Sequence, residues 1–260
     1  MNYPVHILKA GLAVWLCLAA AFCHAQYPRL HDHNVIGWLV YEGDHAISSR
    51  WAVHTEAQWR QTVSRRQQDL LRLGLSRKLS DRIELSGGYT HFRSHAYGSY
   101  PEVPGRAEPE HRIYEDIKLK DELAPVTLTH RLRLEQRWLG SRDASGQGPV
   151  QAWAFQNRIR YQLSAELPLQ GSSVDDHEWY LNAFDEVFIG FGKNVKDNVF
   201  NQNRLSAGLG YQLNDQAKLE LNYIYQLRQH AEPDASTQRQ VLEINQGVRV
   251  TIVWQMDFTK

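Results

Sequence analysis

Residues 126–139, VTLTHRLRLEQRWL, alternate with a period of two. Val126, Leu128, His130, Leu132, Leu134, Gln136 and Trp138 fall on one face, and Thr127, Thr129, Arg131, Arg133, Glu135 and Arg137 on the other. A helix, at about 3.6 residues per turn, would scatter both sets around its circumference. The stretch is therefore a strand with a mainly apolar side and a densely charged side.

The same two-faced pattern recurs along the chain. Residues 35–41 make a short first strand, and in 51–63 Trp51, Val53, Ala57 and Trp59 oppose His54, Glu56, Gln58 and Arg60. Residues 70–79 set Leu71, Leu73 and Leu75 against Arg72, Gly74 and Ser76, then turn at Ser80 and Asp81 into a strand over 82–93, an antiparallel hairpin. Residues 94–109, with Gly98, Pro101, Pro104, Gly105 and Pro109, read as a long loop, 112–120 as a strand and 121–125 as a short turn. After a loop at 141–149, the strand over 151–165 opposes Trp153, Phe155, Ile159 and Tyr161 to Arg158 and Arg160. Residues 166–176 form a loop and 178–191 an aromatic strand, in which adjacent Asp185 and Glu186 leave one carboxylate on the apolar side unless a bulge intervenes. The last three strands, 200–213, 218–228 and 240–254, repeat the contrast, with Arg204, Glu220, Glu243 and Arg249 on their polar faces.

No segment sustains helical periodicity. The strands run about ten to fifteen residues, against five or six in soluble domains and nine to eleven for a tilted membrane crossing. Trp51, Trp138, Trp153, Tyr161, Tyr211, Trp254 and Phe258 sit near strand ends, where interfacial girdles belong. The expected fold is all-β: an antiparallel up-and-down transmembrane β-barrel of about ten to twelve strands, with the charged faces lining a lumen. A soluble periplasmic sandwich or lipid-binding barrel would also alternate, but with shorter strands and no such aromatic placement. Placing the tight turns near Ser80, Asp121 and Asn214 on the periplasmic side makes the strand over 35–41 descend toward the periplasm, so the chain starts on the wrong side for an even barrel. Either a strand is missing, the N-terminal segment lies in the lumen, or the barrel closes without it.

Lys9 precedes an apolar run over 10–22 that ends in Cys23, His24 and Ala25, a signal peptide with cleavage after Ala25. The run is short of the roughly 20 residues a permanent membrane helix needs. The expected organisation is a signal peptide over 1–25, a short polar segment over 26–34 and a barrel over 35–260, in the outer membrane of a Gram-negative envelope. Cys17 and Cys23, the chain's only cysteines, leave with the leader, so the mature chain has no thiol for a disulfide, a metal or nucleophilic chemistry. His31, Asp32 and His33 are read as solvated terminal side chains rather than metal ligands. A formal net charge of +0 gives no case for nucleic acid. The partners implied are outer-membrane lipids and the barrel-assembly machinery, with no cofactor.

Arg131, Arg133, Glu135 and Arg137, with Arg158, Arg160, Arg204, Glu220, Glu243 and Arg249, point into the lumen on this parity. A ring of arginines would favour an anionic solute. Cross-strand Arg–Glu pairs would instead fill a narrow barrel and close it, and that structural reading takes precedence over the pore or solute-binding one. The alternative activity is an interfacial lipid hydrolase. His91, Ser94, His95 and His130 are the candidate positions for its Ser–His pair, but the His-x-Ser arrangement of such lipases is missing.

Several short motifs, in order and spacing, carry a resemblance. They are Gly87, Gly88 and Tyr89; Leu134 to Arg137; Asn157 to Arg160; Phe200 to Arg204 followed by Gly208 to Tyr211; and Leu219 to Tyr223. With them the chain resembles, over nearly its whole mature length, a family of bacterial outer-membrane proteins known as a domain of unknown function. The resemblance implies an outer-membrane β-barrel with no assigned activity and no catalytic residues to carry over. Glu115, on the apolar face among Ile113, Ile117 and Leu119, departs from the expected pattern.

Overall fold

Alternation of this kind leaves a sheet with one wet face, and the chain resolves it by curling that face inward. The structure, a computed structural model, describes residues 29–196 and 198–259. The expected signal peptide lies outside the described residues. Eleven strands follow one another: β1 (Leu30–Ala46), β2 (Trp51–Thr62), β3 (Arg66–Lys78), β4 (Ile83–Ser94), β5 (Glu108–Leu123), β6 (Val126–Ser141), β7 (Ala152–Pro168), β8 (Trp179–Phe191), β9 (Phe200–Asn214), β10 (Ala217–Gln229) and β11 (Val241–Trp254). Each pairs with its neighbours in chain order, and β1 meets β11 to close the barrel.

The closing seam is parallel, from Leu30 opposite Val241 to Glu42 opposite Val253. This corrects the expectation of an antiparallel barrel throughout, and the reason is parity. With an odd number of hairpin-linked strands the first and last run the same way, so only a parallel ladder can remove both edges. The same parity answers the question of the N-terminus: β1 belongs to the wall and begins at the end where the chain's long loops lie. Gly247 is required at this seam, because a Cβ there would stand 1.7 Å from the Ile36 carbonyl oxygen.

The two ends of the barrel differ. One carries the start of β1, the turn at 63–65 and the loops at 95–107, 142–151, 192–199 and 230–240. The other carries the turns at 47–50, 79–82, 124–125 and 215–216 and the loop at 169–178. The sequence left the side of that last loop open, and the topology puts it at the short-turn end.

Leu71, Leu73, Leu75, Ile113, Leu132, Leu205, Leu221 and Val248 are exposed on the outer wall, while Glu56, Arg72, Asp116, Arg133, Glu135, Glu186 and Glu243 are buried inside. Glu115 does face outward and is exposed, between Gly87 and Leu134. At the adjacent carboxylates no bulge intervenes: Glu186 is buried in the lumen, and Asp185 faces out, accepting a hydrogen bond from Asn203 Nδ2 at 2.6 Å.

Other strand ends move from their expected places. β1 extends past 35–41 in both directions and takes in Leu30–Asn34. Asp32, read as solvated, is 2% exposed and accepts hydrogen bonds from the backbone nitrogens of Ser99 and Tyr100. The loop at 95–107 folds back over the start of β1 and so buries a carboxylate that local sequence places in solvent. β7 continues through Pro168, so Glu166 to Pro168 are strand rather than loop.

Candidate functional site

Lumen chemistry follows from register. Asp116 lies directly opposite Arg133, Glu135 opposite Arg158, Glu56 opposite Arg72, Glu186 opposite Arg204 and Glu243 opposite Arg228. Like-charged residues also face each other: Arg112 with Arg137, Arg133 with Arg160, Lys118 with Arg131 and Glu42 with Glu56. Like charges directly opposite repel, and shared carboxylates offset this for the arginines. Glu110 takes two hydrogen bonds from Arg112, at 2.6 and 2.9 Å, and two from Arg137, at 2.5 and 3.1 Å. Glu135 accepts from Arg158 at 2.6 and 2.8 Å and from Arg160 at 2.8 Å. Glu186 accepts from Arg160 at 2.6 Å and from Arg131 at 2.7 Å. Arg72 bonds Glu56 on one side and Thr90 Oγ1, at 3.0 Å, on the other.

These contacts close the middle of the barrel on the β2–β8 side. On the β1 side the lumen is apolar, with Ile36, Trp38, Val40 and Ile224 packed together. Asn222, Ser206, Asn245 and Thr251, each 0–1% exposed, are buried among the polar residues of the same side. Toward the short-turn end the lumen carries partly exposed groups such as Lys118, which bonds Glu84 at 2.9 Å.

At the long-loop end the same lumen opens into a cavity of about 570 Å³. Arg60, Arg72, Arg112, Arg137, Arg158, Arg160, Arg204 and Arg228 line it, with Glu56, Glu110, Gln202, Leu70, Phe92 and Phe188 in the walls and residues from the loops at 95–107 and 230–240 at the rim. Aromatic rings hold the guanidinium groups. Arg112 lies 4.0 Å from the Phe92 centroid, Arg60 4.1 Å and Arg204 5.1 Å from that of Trp38, and Arg204 and Arg160 4.7 and 4.5 Å from that of Phe188. Such stacking fixes planar cations while leaving their edges free to donate.

The rim is tied down by Glu243. It receives the Tyr97 hydroxyl at 2.5 Å, Arg228 Nη1 at 2.9 Å and His230 Nε2 at 3.0 Å. Arg228 also bonds Glu102. Burial, and then the Glu243 carboxylate, push the Tyr97 phenol well above its ordinary range, so it serves as a permanent donor.

The ten charged residues singled out from sequence all sit on inward positions, but they do not form one cluster. Arg131, Arg133, Glu135, Arg158, Arg160 and Arg204 meet at mid-barrel, and Arg137 lies above them on Glu110. Glu220 and Arg249 stand apart toward the short-turn end, 3.8 Å from each other, with the Tyr180 hydroxyl on Glu220 at 3.0 Å. Glu243 belongs to the opposite rim. Sequence reasoning missed Asp116, Glu110, Glu186, Arg60, Arg72 and Arg112 as members of the network. Their parity was readable in most cases, and their partners were not.

On the outer wall, His91 and His111 pack with ring centroids 5.3 Å apart, Trp153 lies 5.0 Å from His111, and the Tyr89 hydroxyl bonds His111 Nδ1. Among the described residues no serine hydroxyl bonds either histidine, so no hydrolytic Ser–His pair is assembled there. His130 bonds the Tyr161 hydroxyl at 2.8 Å, and His95 bonds Asp69 at 2.9 Å. Among the described residues no group of His, Cys, Asp and Glu side chains is placed to hold a metal ion.

No curated protein and no solved structure matches the chain. A protein-family comparison does match, over residues 36–237, which spans the barrel from β1 to the last long loop. The chain belongs to the family described as protein of unknown function (DUF2490).

Proposed function

We propose that this protein is an outer-membrane β-barrel of a Gram-negative envelope, secreted with cleavage after Ala25, whose lumen is closed at mid-height and serves as a blind cup rather than a channel. The observation that carries the membrane reading is the outer wall. Its aliphatic belt is bordered by Trp59, Trp138, Trp153, Phe155 and Phe191 toward the long-loop end and by Trp51, Trp179, Tyr211, Trp254 and Phe258 toward the other. Two aromatic bands around an apolar belt match the two interfaces of a bilayer, and strands of 12–17 residues are long enough to cross it. A soluble barrel would gain nothing from exposing Leu71, Leu73 and Leu75 in succession along one strand. Lipids are the partner of this wall, and the barrel-assembly machinery would insert it.

The closed lumen speaks for a structural or solute-holding role over passive conduction. Tyr161 does not serve the girdle suggested from sequence, since it lies well inside β7 rather than near an end. Membrane fractionation with a heat-modifiability gel tests the proposal. Recovery in the outer-membrane fraction and a faster-running unheated band are expected, and recovery in the soluble periplasm would overturn it.

A further inference from the structure

Around the cavity, guanidinium groups outnumber carboxylates. Glu110 is shared by two arginines, Glu135 by two and Glu186 by three. Two arginines on the cavity wall are left over. Arg60, 2% exposed, has no carboxylate within ion-pair distance among the described residues. It donates to the amide oxygens of Gln58, at 2.8 Å, and Gln68, at 2.7 Å. Arg204, 9% exposed, has only the distant Glu186 at 3.8 Å, and its Nε is buried without a hydrogen-bond partner. Both rest on Trp38, whose register position is directly opposite Arg60. A buried charge without a counter-ion is strongly unfavourable unless something compensates it.

We propose that the cup at the long-loop end binds a small organic anion through a carboxylate or phosphate group seated between Arg60 and Arg204. The cavity of about 570 Å³ has the size of a small-molecule site. Gln202 stands on its wall to orient the oxyanion, and Phe92, Leu70 and Val103 offer an apolar surface to the rest of the ligand. Planar guanidinium edges match carboxylate and phosphate oxygens geometrically. Access is through the lumen, between the loops, which selects a free solute over a lipid headgroup held in the bilayer. This deepens the blind-cup reading by naming its occupant, and it does not depend on which membrane holds the barrel.

The test is calorimetric titration of the refolded full-length mature barrel in a zwitterionic detergent, with citrate and inorganic phosphate as free anions, phosphatidylglycerol in mixed micelles as the lipid arm, and spermidine as a cation. Saturable binding of citrate, phosphate or both, weakening as sodium chloride is added, is expected, with none for spermidine. Arg60→Gln and Arg204→Gln should each weaken it by about tenfold or more, while Lys118→Gln at the other end of the lumen should leave it unchanged. The heat-modifiable band confirms that each variant folds; should one fail, Arg204→Lys takes its place, keeping charge but losing the planar fork. No saturable binding of either free anion to a folded barrel, equal binding by the Arg60→Gln and Arg204→Gln variants, or binding by the lipid alone would overturn the site. A barrel that folds but binds nothing would leave the membrane reading standing.

Discussion

Arg133 grips Asp116 with two parallel hydrogen bonds, Nε to Oδ1 and Nη2 to Oδ2, each 2.5 Å long. The residues lie directly opposite each other on β5 and β6, and both are almost fully buried. The Arg133 guanidinium also covers the Tyr114 ring, 4.5 Å from its centroid. A pair so enclosed matters less for its net energy than for what is stranded when one member goes. Arg133→Leu leaves the Asp116 carboxylate in the lumen without its partner, at a cost of about 3–5 kcal/mol. Thermal unfolding of the refolded barrel should shift downward accordingly. The double variant Asp116→Leu with Arg133→Leu should recover most of that loss; a double variant as unstable as the single one would mean that the pair is not the unit of stability.

Leu132, the neighbour of Arg133 on the same strand, is exposed on the outer wall. If that wall meets hydrocarbon, Leu132→Arg places a charge in the belt at a cost of about 2–4 kcal/mol. The expected outcome is slower or incomplete folding into lipid vesicles, with folding in detergent less affected. Normal insertion of Leu132→Arg would contradict the outward assignment of β6 and, with it, the lumen assignment of Arg131, Arg133, Glu135 and Arg137.

The strands themselves were legible because contrast between faces is local. In β6 and β9 one face is mainly apolar and the other is polar or glycine, and period two alone sorts them. β1 was only partly legible because its contrast fails. Ile36, Trp38 and Val40 face the lumen while Val35 and Leu39 face out, so both faces read as apolar and the strand appeared short. Ile224 breaks the contrast of β10 too, an apolar residue at a position whose neighbours on that face, Asn222 and Gln226, are polar. The partners of the lumen charges lay further out of reach. That Glu186 on β8 serves Arg131 on β6 as well as Arg160 on β7 depends on curvature across three strands, and no spacing along the chain encodes it. The parallel seam follows from the parity of the count: eleven strands, 35–41 included, are readable in the sequence, and only the expectation of an even, wholly antiparallel barrel stood against it.

Topology can be mapped because the chain's two cysteines, Cys17 and Cys23, both precede β1, so a barrel cleaved after Ala25 as proposed would supply no background thiol. Ser99 and Ser145 are exposed in the loops at 95–107 and 142–151, and Asp215 is exposed in the turn at 215–216 at the opposite end. In intact cells, cysteines placed at Ser99 and Ser145 should react with a membrane-impermeant maleimide, and one at Asp215 should react only after lysis. Labelling at Asp215 alone would invert the barrel in the membrane, and equal labelling of all three would remove it from the membrane.

Closure of the lumen predicts electrical silence. At mid-barrel Arg160 joins Glu135 to Glu186, Arg133 lies against Tyr114, and Tyr114 is 1% exposed. On the proposed closure, an ion crossing this layer would have to part buried pairs, whose mutual attraction in a low-dielectric setting exceeds that of surface pairs. In planar bilayers the wild-type protein should therefore show no steady conductance. Truncating the layer from its aromatic side, by Tyr114→Ala, removes volume without stranding a charge and should open a narrow path. Unitary current steps are expected to appear, and adding Arg133→Ala with Asp116→Ala should enlarge them. Large open steps from the wild-type barrel would show that the ion-pair layer is no plug and that the lumen conducts in its resting form.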